Sequence, residues 1–312
     1  MPAATAMSRS RKSAGKAAGR SKPATTPRLN PMMACDTAFR VIARRYLGDL
    51  TANHEAACKG EPAALHQMRI ALTRLRTALS FFSPMVADSQ RAQIKDELKW
   101  LNAHLGAVRD LDVAIERLMA INKEQPRAIP DYQSWNQKRA DGHRYLARVL
   151  RSVRYRRLVK DTSNWIENGP WSTKRGKLAA EERAVPIATY SAGKLARWQQ
   201  KLLTKSRKLL KMDTEKRHRL RLLNKKLTYS IDGFEELFSD RRFSRLKAGL
   251  KYLRKAQRSL GLLNDDANAH ALAAALHRGG ADAAVQFLSP KREKRLLRTA
   301  ADAYRKLAAL KK

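Results

Sequence analysis

Apolar side chains recur along this chain every three or four residues, the spacing that places them on one face of an α-helix. Phe39, Ile42, Tyr46 and Leu50 mark a first such face. Met68, Leu72, Leu75, Leu79 and Phe82 mark a second, in a segment that follows Pro62. Leu98, Leu101 and Leu105 mark a third, and Gly106 is expected to end that helix in the left-handed conformation. A fourth helix is expected from about Asp110, with that residue as its cap. Residues 125–130 read as a connection. A longer helix is expected next, with Tyr132, Trp135, Leu146, Val149 and Val153 turned inward. Asn168, Gly169 and Pro170 then break the pattern and mark the expected boundary. No segment alternates Val, Ile, Thr and aromatic residues at a period of two. The pattern predicts an all-α protein.

The polar positions of the same segments are unusual. Opposite the apolar face of the second helix lie His66, Arg69, Thr73 and Arg76, with Arg74 at the flank. A later segment repeats the arrangement with His218, Arg221 and Lys225 on one stripe and Lys226 at its flank. His66 matches His218, Arg69 matches Arg221, Arg74 matches Lys226 and Phe82 matches Phe234, all at one separation along the chain. Leu105-Gly106 with Arg109-Asp110 likewise matches Leu260-Gly261 with Asn264-Asp265, three residues farther apart. Matches in the same order suggest a duplicated helical unit, expected over 32–168 and 179–312. Residues 66–82 and 217–231 contain no acid. An ordinary solvated helix mixes Glu with Lys one turn apart. A helix that does not do so crowds like charges, and an anion is the simplest missing partner.

Composition widens this picture to the whole chain. Its 312 residues carry 65 Lys+Arg against 28 Asp+Glu, a formal charge of +37. Residues 1–30 hold seven of the cations (Arg9, Arg11, Lys12, Lys16, Arg20, Lys22, Arg28) and no acid, which reads as a disordered basic arm. No apolar stripe supports reading that arm as a transit peptide, and no apolar core makes it a secretory signal. Most of the excess charge therefore belongs to the helical part. Further basic rows are Arg40, Arg44 and Arg45; Lys95 and Lys99; Lys194, Arg197 and Lys201; and Lys251, Arg254 and Lys255. Arg144, Arg148 and Arg151 read as plain surface. No apolar run is long enough to cross a membrane. Cys35 and Cys58 are the only cysteines, too few for a disulfide framework or a zinc finger.

The motifs resemble the CHAD family, the conserved-histidine α-helical domain. The resemblance rests on His-x-x-Arg-x-x-x-x-Arg at residues 66–74, on Glu97-Leu-Lys-Trp-Leu101 and on Leu105-Gly-x-Val-Arg-Asp110, repeated in degraded form at His218 and Leu260-Gly261. Thr73 departs from a usual pair of adjacent basic residues, and Arg76 partly restores the charge. The resemblance implies two antiparallel helical bundles related by internal symmetry, with a basic central cavity that binds inorganic polyphosphate. It also implies association with polyphosphate granules in the cytoplasm. The Glu-x-Glu-x-Lys motif of the triphosphate-tunnel (CYTH) domain is missing from the sequence, so the resemblance predicts a binder rather than a triphosphatase.

The residue types suit such a ligand. A phosphate polymer without bases is met by Arg and Lys spread along a groove. Aromatic residues are only 6% and fall mostly at core positions, whereas single-strand nucleic-acid binders interleave them with cations. Non-specific nucleic-acid binding, with the arm as its contact, is the alternative, because phosphate contacts alone suffice for it. Near a polyanion, His66 and His218 are expected to favour their charged form. His104, His143, His270 and His277 show no such pattern. Asp110 with Asp112, and Asp265 with Asp266, read as helix caps or partners of the Arg excess before cation ligands. The sequence contains no P-loop, nucleophile elbow, His-Glu-x-x-His or Gly-rich dinucleotide turn. A binding function without cofactor or metal is therefore expected.

Overall fold

A computed structural model describes residues 28–121, 132–173, 177–277 and 288–310. Among these residues the chain is helical, and the only β-type pairing is a single bridge between Ala34 and Pro186. The helices are α1 (Cys35–Ala52), α2 (His54–Cys58), α3 (Pro62–Phe81), α4 (Arg91–Ile121), α5 (Tyr132–Arg151), α6 (Val153–Asn168), α7 (Lys177–Ala184), α8 (Ile187–Ser206), α9 (Thr214–Asp232), α10 (Ser244–His277) and α11 (Pro290–Ala309). The first apolar stripe is buried in α1 and the second in α3, as the spacing requires.

α3 packs between α1 and α4, and α5 and α6 complete the surroundings of α4. α9 packs between α8 and α10, and α11 closes against α10 and α8. The two groups meet where α3 lies against α9. Phe81 and Phe82 at the end of α3 contact Phe234 just beyond α9, with ring centroids 5.2 and 6.4 Å apart. Phe39, Trp165 and Trp171 extend this cluster, and all six rings are buried. Edge-to-face pairs of this kind add to area burial in joining helices. They hold the polar edges of α3 and α9 at a fixed distance.

Two helix boundaries differ from the pattern. α4 runs unbroken through Gly106 and Asp110. Leu98, Leu101, Leu105, Val108 and Ile115 form one buried stripe, and burying it outweighs the cost of about 1 kcal/mol for a mid-helix glycine. Among the described residues the glycine with a positive φ is Gly60, before α3. The long helix expected from Tyr132 is instead α5 and α6. Ser152 adopts an extended conformation and caps α6, its Oγ accepting from Tyr155 N at 3.2 Å. The direction of the chain changes there, and Val153, expected inward, is 70% exposed. Val149 is half-buried, with its neighbour Leu150 taking the core position. The break at residues 168–170 appears as the end of α6 and a short 3₁₀ turn.

Leu29, assigned to the basic arm, is 5% exposed and its N–H donates to Glu236 Oε2 at 2.7 Å. The packed chain thus begins before residue 30. Residues 1–27 and the connection at 125–130 lie outside the described residues, as does the side chain of Tyr132.

Candidate anion-binding cleft

The core face of α3 is set by Met68, Leu72, Leu75 and Leu79. That choice leaves Thr73, Arg76 and Ser80 on a common edge, at intervals of three and four residues. On α9, Leu220, Asn224, Leu227 and Ile231 are buried. Asn224 is fixed there by Nδ2 donating to Leu253 O at 3.1 Å and Oδ1 accepting from Tyr304 at 3.2 Å. Lys225 and Lys226 are then left facing α3. Between these edges and the start of α4 opens a cleft of about 370 Å³. Its cations are Arg76, Arg91, Lys95, Lys225 and Lys226, and no lining residue among the described residues is acidic.

None of the five cations forms an ion pair with a carboxylate among the described residues. Burial alone pushes the Arg76 guanidinium below its ordinary pKa. Burial, then Arg221 and Arg69, push Lys225 down to about 8, and Asp265 offsets only part of this. Lys226 is lowered by burial and by Lys201. Its ammonium donates to Ser80 Oγ and lies 4.5 Å from the Trp198 ring centre. Lys194 on α8 is pushed down to about 8, again by burial first and then Arg197. It donates to the Tyr190 hydroxyl at 2.9 Å and sits 5.3 Å from the Phe81 ring. Desolvated like charges without a counterion destabilise a fold, and such arrangements concentrate at functional sites.

Lys225 makes this testable. Its depressed pKa means that at neutral pH the folded protein carries a buried charge which the unfolded chain keeps in water. Lys225→Met is therefore expected to stabilise the free protein by about 2 kcal/mol below pH 8. The gain shrinks as pH rises through 8, where folded Lys225 loses its proton, and vanishes near the unfolded value of 10.5. Denaturant unfolding of both proteins at pH 7 and pH 10 checks it; an unchanged difference would show that packing, not charge, is responsible.

Other residues of the basic stripes stand near the cleft's cations without lining the cleft itself. Arg69 donates to Gly106 O at 3.2 Å and to Asp110 Oδ1 at 3.1 Å, so Asp110 is a partner of the Arg excess rather than a cap. His66 stands near Arg109, Arg69 and Lys225, and burial together with these cations lowers its pKa. In the protein without an anion His66 is thus held toward its neutral form. Arg109 grips Glu116 through two bonds, of 2.9 and 3.3 Å. Arg221 adjoins Lys225. Lys201 and Arg197 continue from Lys226 and Lys194 along the exposed side of α8, and Lys99 lies one turn beyond Lys95.

The remaining predicted residues are placed elsewhere. Arg74 is stacked between Tyr46 and Tyr229, 5.9 and 5.6 Å from their centres, beside a cavity of about 10 Å³. Arg40 bonds Asp36 and the Glu167 carbonyl, Arg44 grips the Glu167 carboxylate at 2.9 and 2.7 Å, and Arg45 meets Glu236 at 3.0 Å. Arg254 pairs with Asp232 at 2.8 Å, and its neighbours Lys251 and Lys255 are exposed on α10. His218 bonds Asn264 in a separate pocket of about 230 Å³ that also holds Asp266 and Glu293. Arg91 was not singled out by the sequence. It lines the cleft, and its buried Nε has no hydrogen-bond partner. Its spacing of one helical turn from Lys95 is the signal that could have found it.

A larger groove of about 640 Å³ lies between α8 and α11. It is floored by Leu203, Leu209 and Ala301, and Arg305 on its wall is paired with Asp302. Its lining is thus less uniformly cationic than that of the smaller cleft.

Three comparisons bear on this geometry. A family model described as CHAD domain matches residues 41–274. The crystal structure of the CHAD domain from the plant Ricinus communis superposes with a TM-score of 0.68 at 24% identity, covering 95% of this chain and 93% of that one. PptA from Streptomyces chartreusis superposes with a TM-score of 0.57 at 14% identity, covering 89% of this chain and 97% of that one. No curated protein matches the chain. At these identities the two structures share the fold.

Proposed function

The chain belongs to the CHAD domain family, and on that premise we propose that it binds inorganic polyphosphate, without catalysis, along the cleft between α3 and α9. The observation that carries the reading is the cleft itself: five cations, of which Arg76, Lys225 and Lys226 are desolvated, with no acid among the described lining residues. A polyanion supplies the counter-charges that the fold leaves out. Toward the C-terminal half of α3 the path continues over Lys226 to Lys194 and Lys201. Toward the N-terminal half it continues over Lys225 to Arg221 and His66, and beyond them to Arg69 and Arg109, where a polyanion would compete with Asp110 and Glu116. A track with cations at both ends suits a polymer better than a single phosphate. The large aromatic rings nearby are packed in the core or covered by Lys226, which leaves little platform for stacking bases. Phosphoryl transfer would use carboxylates to hold metal ions, and the described lining residues include none. The duplicated unit over 32–168 and 179–312 supplies one basic helix from each half. Association with polyphosphate granules would follow from the same binding. No described helix is long and apolar enough to cross a membrane.

Competition decides the ligand. Unlabelled polyphosphate is expected to displace labelled polyphosphate far better than duplex DNA at equal phosphate concentration, and equal displacement would refute selectivity. The second reading, nucleic-acid binding through the acid-free residues 1–27, is separated by their removal. DNA binding should then fall while polyphosphate binding stays.

The affinity is expected to fall as pH rises from 7 to 9.5. A bound polyanion raises the pKa of every nearby cation, so binding takes up protons at Lys225 and Lys194, both near 8 when free, and at His66 below that. Calorimetry in buffers of different ionisation enthalpy reads the uptake directly. The affinity should also fall steeply with salt, because each neutralised phosphate releases counterions. Proton release on binding, or a flat salt dependence, would contradict the model.

A further inference from the structure

We propose that Lys225 is a site of acylation by small acyl phosphates, with the cleft holding the phosphate while the Lys225 amine takes the acyl group. This rests on the reading of the cleft as a phosphate site, but it needs only a single phosphate rather than a polymer.

Three observations converge. Lys225 lines an open cleft of about 370 Å³, large enough for a two-carbon acyl phosphate. The opposite edge carries Arg76 and Arg91, guanidinium groups suited to a phosphate dianion, and the buried Nε of Arg91 has no hydrogen-bond partner. Lys225 forms no ion pair among the described residues, Asp265 only partly offsets its surroundings, and burial beside Arg221 and Arg69 leaves a substantial share of its amine unprotonated at pH 8. A desolvated lysine beside other cations is the usual form of an activated amine nucleophile. Exposed lysines such as Lys255 and Lys291 have neither feature.

The step balances without a redox partner. The neutral Nζ attacks the acyl carbon, an amide C–N bond forms, and the C–O bond to phosphate breaks. Phosphate leaves with the electron pair and accepts the proton lost by the amine. The product has one cation fewer in the cleft and an acyl group occupying part of it, so polyanion binding would be weakened.

The test treats the full chain with acetyl phosphate at pH 8 and follows each lysine by peptide mass spectrometry. Lys225 is expected to react roughly tenfold faster than Lys255 and Lys291, the advantage that positioning provides. Excess inorganic phosphate should remove the advantage, and so should Arg76→Gln. Acetyl N-hydroxysuccinimide ester, which lacks a phosphate, should show little preference for Lys225. Reaction at the surface rate, no effect of phosphate, or an equal preference with the phosphate-free donor would each overturn the proposal. The phosphate competition uses the unaltered chain, so it stands even if Arg76→Gln unfolds. Should Lys225 react selectively while long-chain polyphosphate protects no better per phosphate than inorganic phosphate, the polymer reading fails and the acylation site remains.

Discussion

Replacing Arg76 and Lys226 together by glutamate is expected to lower the affinity for polyphosphate at least about a hundredfold at fixed salt. The two residues stand on opposite walls of the cleft, from α3 and α9. Arg76 is lowered in pKa by burial alone, so its charge is poorly screened by water and acts at full strength on a ligand beside it. Lys226 is held in place by Ser80 and Trp198, so little side-chain entropy is lost when a phosphate arrives. Each reversal removes a contact and adds a repulsion. The comparison is Arg44→Ala with Arg45→Ala. Both of these guanidinium groups are already paired, with Glu167 and Glu236, and neither lines the cleft. Their loss is expected to change the affinity less than about threefold and to appear mainly as reduced stability. Titration of labelled polyphosphate against both variants decides the matter. Equal losses would mean that the protein binds through bulk charge and has no defined track.

This contrast also shows what the sequence could and could not reveal. The apolar spacing located α1 and α3, and the acid-free stretches at 66–82 and 217–231 located the helices that face each other across the cleft. Those are local properties of the chain, visible wherever a helix has one buried face. Which arginines are neutralised is a long-range property. Arg44 and Arg45 look as basic as Arg76 until α1 is packed beside Glu167 and Glu236, more than a hundred residues away along the chain. Arg91 joins the row of Lys95 and Lys99 at helical spacing, but only the packing of α4 against α3 brings it to the cleft. The boundaries failed for a related reason. Gly106 stays helical because the stripe on either side of it is buried, whereas Ser152 breaks a promising helix because its hydroxyl caps the next one. In both places tertiary packing or a single hydrogen bond outweighed propensity. The histidines divided in the same way: His66 lies among cations, His218 sits in a separate pocket, and His143, which showed no pattern, is bound to a buried carboxylate.

That carboxylate supports the largest stability effect we expect. Asp112 is 0% exposed, between α4 and α5. Its Oδ1 accepts from Arg139 Nε and His143 Nε2, each at 2.9 Å. Burial by itself would raise its pKa, but the bonds and charges of His143 and Arg139 outweigh that and hold it below the ordinary carboxylate value. Asp112→Ala would leave His143 buried and the guanidinium of Arg139 turned toward a site with no counter-charge. Breaking a buried pair from one side costs about 3–5 kcal/mol, which for a chain of this size lowers the melting temperature by roughly 10 °C. Asp112→Asn keeps the shape and one acceptor, so it should fall between alanine and the parent. The pH dependence follows from the sign of the shift. A carboxylate depressed in the folded state contributes its stability above the unfolded pKa of 3.8 and loses it as pH falls through the folded value. The parent and Asp112→Ala should therefore differ fully at pH 6 and converge in the acid range below 4. Because the α4–α5 clasp does not line the cleft, polyphosphate affinity measured well below the melting transition should be unchanged. A loss of affinity that tracks the loss of stability would instead make the clasp part of the binding site, and a difference that persists at low pH would show that cavity formation, not charge, destabilises the variant.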